Sequence, residues 1–85
     1  KRMVIVTDVD GVKSDYGTDR ERLVRNIGVN ELQDRLRRGE YPTGSMAPKI
    51  RAVLQFIDAT GGTAAIGALE QLSALAKGQA GTQIH

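Results

Sequence analysis

The chain has 85 residues, a formal net charge of +2, 40% hydrophobic residues and 26% charged ones, the make-up of a folded chain rather than a disordered one. It has no cysteine and a single histidine, His85, which excludes a disulfide framework and a Cys/His metal site. The aromatic residues Tyr16, Tyr41 and Phe56 are too few for a base-stacking surface, and the longest apolar run falls far short of the roughly 18 residues of a membrane span; no nucleic acid and no membrane are expected as partners.

Met3 to Thr7 is a β-branched run closed by Asp8-Val9-Asp10-Gly11, and reads as a buried strand ending in a turn. Val12 to Tyr16 is a short extended piece, followed by a turn at Gly17-Thr18-Asp19. Asn30 is the expected N-cap of a helix over Glu31 to Arg38, with Gly39 just past its end. Glu40 to Gly44 is a loop with two breakers. The clearest helix follows, with Met46, Ile50, Val53, Leu54 and Ile57 on one stripe of helical period. Gly61-Gly62 ends it. Thr63 to Gly67 reads as a second buried strand, and Leu69 to Lys77 as a helix with Leu69, Leu72, Leu75 and Ala76 on one face. Gly78 stops that helix, and Thr82 to Ile84 is a last strand.

The order from Ser45 onward is helix, strand, helix, strand, which predicts an α/β unit with right-handed crossovers around three parallel strands. Such strands are buried on both faces, and no flanking segment is available to cover an edge. The expectation is therefore a piece of a larger sheet, with completion by dimerisation as the alternative. Residues 1–40 carry nine Lys/Arg and eight Asp/Glu, whereas residues 41–85 carry three and two. The basic cluster Arg35-Leu36-Arg37-Arg38 falls at a helix C-terminus, where cations complement the dipole.

Two segments carry candidate chemistry. Carboxylates just past the C-terminal end of a parallel strand, as at Asp8 and Asp10, lie where open α/β sheets bind ligands, although Asp and Gly also suit a plain polar turn. A calcium loop of EF-hand type fails, because Val12 and Lys13 stand where a ligand and a glycine are required. A phosphatase of the haloacid-dehalogenase type, with Asp8 as nucleophile and Asp10 as acid, lacks its later acidic pair at Ile66-Gly67-Ala68-Leu69. In Gly44-Ser45-Met46-Ala47-Pro48-Lys49, Pro48 suits a first helical turn, but a lysine at the positive end of a helix is disfavoured by about 0.3–1 kcal/mol. The penalty vanishes if an anion is bound there by the free N–H groups and the ammonium, and Gly44 lets a backbone approach closely. A surface lysine on an ordinary capped helix is the plainer alternative. The spacing is not that of a Walker A loop.

Taken together, Thr7-Asp8-Val9-Asp10-Gly11-Val12, Gly44-Ser45-Met46-Ala47-Pro48-Lys49, Ala64-Ala65-Ile66-Gly67 and Ala80-Gly81-Thr82 resemble the amino-acid kinase superfamily in order and spacing. Ser45, Tyr16-Gly17 and the ending Lys77 to Thr82 are similar to the carbamate kinases within it. The resemblance implies a three-layer α/β/α sandwich with a mainly parallel sheet, of which residues 1–85 are the C-terminal, nucleotide-binding lobe. It implies reversible phosphoryl transfer between ADP and carbamoyl phosphate, giving ATP and carbamate, with Mg²⁺ carried by the nucleotide and no metal held by the chain itself. By the same resemblance Asp8, Val9, Asp10, Gly11, Val12, Gly44 and Ser45 line the nucleotide site. Tyr16 and Met46 lie near the base and ribose, and Lys49 contacts the phosphates as the catalytic residue. Lys13 departs from the aromatic or apolar residue common at its place. The family's members are cytoplasmic, homodimeric when full length and several times longer, with an N-terminal acceptor-binding lobe that these residues lack. The segment alone is therefore expected to be inactive. A nucleotide- or anion-binding module without turnover is the alternative.

Overall fold

A computed structural model describes residues 1–14, 19–41 and 46–85. Its elements are β1 (Arg2–Thr7), β2 (Lys13–Ser14), β3 (Arg22–Leu23), β4 (Asn26–Ile27), α1 (Val29–Arg37), α2 (Met46–Thr60), β5 (Thr63–Ala68), α3 (Leu72–Ala76, entered through a 3₁₀ turn at Leu69–Gln71) and β6 (Thr82–Ile84). The main sheet has the order β1-β5-β6-β4, and β2 and β3 form a separate antiparallel pair. β1 and β5 are parallel in the register Arg2 to Thr63 through Thr7 to Ala68, and β4 is parallel to β6. The fold is α/β with a mixed, mainly parallel sheet.

Three expectations need correction. β6 runs antiparallel to β5, with Ile66 opposite Thr82, so no parallel crossover joins them. The five residues of α3 span only about 8 Å, against about 20 Å for a six-residue strand. That is too short to carry the chain back to the start of β5. α1 begins at Val29 after Gly28, with no side-chain cap from Asn30, because the Val29 N–H is taken by the His85 carbonyl at 3.1 Å and the helix starts against β6. Of the apolar face expected on the last helix, only Leu75 is buried; Leu69 and Leu72 are 64% and 44% exposed. The 3₁₀ turn changes the angular spacing of the side chains, so the 3.6-residue stripe does not carry through it.

The period-two alternation of the strands divides the sheet into unlike faces. Met3, Ile5, Ala64, Ile66, Ile27 and Ile84 join one core with Leu32 of α1 and Ala47, Ile50 and Val53 of α2. The opposite face carries Arg2 and is met by α3. There the Arg2 guanidinium donates to the Leu75 and Ala76 carbonyls at 3.2 Å each, to Thr63 Oγ1 at 3.1 Å and to Gln83 Oε1. The basic cluster at the end of α1 is matched by acids, Arg35 with Glu31 at 2.8 Å, Arg37 with Asp34 at 3.8 Å and Arg38 with Glu40 at 3.3 Å. Burial pushes the Tyr41 hydroxyl above its ordinary pKa, against the lowering effect of the Arg35 guanidinium beside it. Among the described residues no helix is long and apolar enough to cross a membrane.

Candidate functional site

The C-terminal edge of β1 and β5 gathers the candidate residues. Asp8, Val9 and Asp10 leave β1 and stand exposed, Asp8 accepting from the Thr7 hydroxyl at 3.2 Å. Lys13 pairs with Asp10 at 3.8 Å, a surface contact worth little by itself. Val6, Thr7 and Asp8 line an open depression with Leu69 and Glu70 from the end of β5.

Gly11 and Val12 turn inward and are buried. A Cβ on Gly11, whose φ is +156°, would lie 2.7 Å from Thr82 Oγ1 and 3.0 Å from the Ile66 carbonyl oxygen, so only glycine permits the loop to cross β5 and β6 this closely. Val12 is 0% exposed and sits in the core. The groups this loop offers at the surface are therefore those of Asp8 to Asp10.

α2 reaches the same edge from the other direction. Its last turn leads through Gly61 and Gly62 into β5, and the Thr63 N–H bonds to the Lys1 carbonyl at 3.0 Å, so the C-terminus of α2 lies at the N-terminal edge of the sheet. Fifteen helical residues span about 22 Å, close to the length of β5, and α2 packs along both β1 and β5. Its N-terminal turn, Met46 to Lys49, is thereby brought to the edge where Asp8 emerges. Met46 is half-buried against the core, Ala47 and Ile50 are buried, and Lys49 is half-buried. No acidic side chain occupies this first turn, whereas α1 carries Glu31 in its own. A positive helix end with a lysine and no acid suits an anion. Tyr16, Gly44 and Ser45 lie outside the described residues.

Thr82 falls in the Ala80-Gly81-Thr82 motif and at the head of the last strand, but sequence reasoning assigned it no role in the site. It is 0% exposed and the one buried polar residue among those described. Its Oγ1 accepts the Val12 N–H at 2.8 Å and donates to the Val24 carbonyl at 2.6 Å. The signal was there in outline, a threonine heading the last strand after a glycine, but no local pattern shows that its hydroxyl meets a loop seventy residues away.

The model of the Amino acid kinase family matches residues 1–67. The chain belongs to that family. Carbamate kinase from Pyrococcus horikoshii is 39% identical over 96% of this chain and 26% of its own length. A carbamate kinase from Halobacterium salinarum is 36% identical over 95% of this chain and 26% of its own. Among solved structures, carbamate kinase from Giardia lamblia bound to AMP-PNP superposes with a TM-score of 0.90 at 32% identity, over 98% of this chain and 29% of that one. A structure from Aeropyrum pernix K1 gives 0.88 at 43% identity, over 98% and 27%. This amino acid kinase chain thus spans about a quarter of the length of the curated relatives it matches.

Proposed function

We propose that residues 1–85 form the C-terminal, nucleotide-binding lobe of a carbamate kinase, and that the intact enzyme transfers a phosphoryl group reversibly between ADP and carbamoyl phosphate. The P–O bond to the carbamoyl oxygen breaks, a bond to the terminal β-phosphate oxygen of ADP forms, and the products are ATP and carbamate. This reading is carried by the exposed Asp8–Asp10 loop at the C-terminal end of β1, together with the acid-free N-terminal turn of α2, which the length and direction of that helix bring toward the same edge. That is where open α/β sheets bind their ligands. The carbamate kinase relatives, one of them solved with AMP-PNP, support the choice of nucleotide.

Phosphoryl transfer asks the protein chiefly to position the phosphates and to neutralise charge on their oxygens. Lys49 and the N–H groups of the first turn of α2 do this, their charge and dipole already in place before the reaction. Asp8 and its neighbours, with Met46, orient the rest of the nucleotide. Among the described residues no group of three or more His, Cys, Asp or Glu side chains could hold a metal. The exposed Asp8 fits an ion that rides on the phosphates and keeps most of its water. Mg²⁺, when bound, supplies further charge neutralisation. Acceptor selection and the homodimer belong to the intact enzyme. A dehalogenase-type phosphatase is disfavoured, since Ile66-Gly67-Ala68-Leu69 at the end of β5 supplies no acidic pair.

Replacing Lys49 with Met in the intact enzyme tests the assignment. Expected is a fall in kcat of about 10²–10³, as for the loss of one preorganised electrostatic group, with a smaller change in KM for ADP. An equal loss in binding and turnover would make Lys49 a ligand of the ground state only.

A further inference from the structure

Thr82 stands at a point where a strand ladder is interrupted. β2 and β3 pair Lys13 with Leu23 and Ser14 with Arg22, so the next opposed pair is Val12 and Val24. In a regular antiparallel ladder such a pair exchanges two N–H···O bonds. One of them is made directly, from the Val24 N–H to the Val12 carbonyl at 2.9 Å. The other is relayed: the Val12 N–H donates to Thr82 Oγ1 at 2.8 Å, and that hydroxyl donates to the Val24 carbonyl at 2.6 Å. A hydroxyl has one proton and two lone pairs, so a single side chain satisfies both halves of the missing bond. Thr82 itself is fixed in β6 opposite Ile66, and Gly11, the residue before Val12, has room only for a hydrogen against this same oxygen.

We propose that Thr82 is a positioning residue of the nucleotide site, its hydroxyl setting the backbone of the Asp8–Val12 loop from behind. This rests on the reading of that loop as nucleotide-binding. Thr82 does not touch the surface and cannot meet a ligand itself. It acts through Val12, two residues past the exposed Asp8 to Asp10 stretch. Without the hydroxyl, the Val12 N–H and Val24 carbonyl lose their shared partner in a buried place. Buried polar groups do not stay unpaired at low cost, so the loop moves to pair them and the surface groups move with it.

The test is calorimetric titration of the intact enzyme with Mg·ADP. Thr82→Val keeps the branched shape and removes the hydroxyl, Thr82→Ser keeps the hydroxyl, and Leu32→Ala lowers stability from α1 through the core it shares with Val12, without removing a hydrogen bond of the loop. Expected for Thr82→Val is about tenfold weaker ADP binding, the scale of one lost buried hydrogen bond. Thr82→Ser should stay within about twofold of wild type, and Leu32→Ala should bind as wild type although it unfolds earlier. Unchanged affinity in Thr82→Val, or an equal loss in Thr82→Ser, overturns the proposal. Should wild type bind no ADP, the nucleotide reading of the loop fails instead, and the proposal with it. If Thr82→Val does not fold, amide exchange on wild type decides: ADP should raise protection of the Val12 N–H, and unchanged protection rejects the coupling.

Discussion

A methyl group added at Gly81 would lie 2.5 Å from the Ile66 carbonyl oxygen and 2.5 Å from Leu75 Cδ1, on a backbone whose φ is +64°. Gly39 has a similar φ of +78° and nothing within 4 Å. The pair separates two costs that a glycine can conceal. Gly39→Ala should lose only the left-handed backbone term, about 1–2 kcal/mol, and Gly81→Ala that term plus a clash with backbone that cannot move aside, reaching about 3 kcal/mol or more. Urea denaturation midpoints of the two variants check the ordering; equal losses would mean that the turn before β6 yields. The same distances explain what the sequence could convey at residue scale. Lys49 stands out in the sequence because its charge is unusual at a helix start, and Asp8 because it follows a strand at its C-terminal end. Gly81 and Thr82 do not, because their constraint is a contact with Val12, Val24 and Ile66, invisible to any local pattern.

Elements were legible in proportion to their length. α2 offers a stripe of apolar residues from Met46 to Ile57, and β1 and β5 offer the short apolar runs Met3 to Val6 and Ala64 to Ala68. β3 and β4 are two residues each and have no period to read. α3 is legible as helical but not in its packing, since its five residues could not hold a helix without tertiary support. That support comes from Arg2, which caps the Leu75 and Ala76 carbonyls from the far end of the chain, at a helix with no basic residue in its own last turn. A cation there both bonds the orphan carbonyls and meets the negative end of the dipole. Arg2→Ala should therefore release α3 locally. Amide exchange over 76–79 should speed up about tenfold, with α2 amides unchanged. A uniform acceleration would show instead that Arg2 supports the whole fold.

At the scale of the whole molecule, the two faces of the sheet set what the chain can do. One is sealed by α1 and α2 over Ile5, Ile66 and Ile84, and the proposed nucleotide edge lies where β1 ends. The other is met by short α3 and leaves Val6 40% exposed. Sequence order suggested three parallel strands, and the antiparallel β6 departs from that because chain direction depends on how far a connection reaches, which composition does not encode. The division of labour proposed for these 85 residues has a direct consequence for ligand response. A ligand that binds only the folded state raises stability by RT ln(1 + [L]/Kd), about 2.7 kcal/mol at a hundredfold excess over Kd. If the nucleotide edge lies here and the acceptor site does not, Mg·ADP should raise the Tm of the 85-residue chain, and carbamoyl phosphate at equal concentration should leave it unchanged. The two ligands together should form no ATP. A stabilisation by carbamoyl phosphate as large as that by ADP would place acceptor binding on this chain and defeat the division, whereas a shift with ADP alone would fix the nucleotide half of the reaction to these strands and α2.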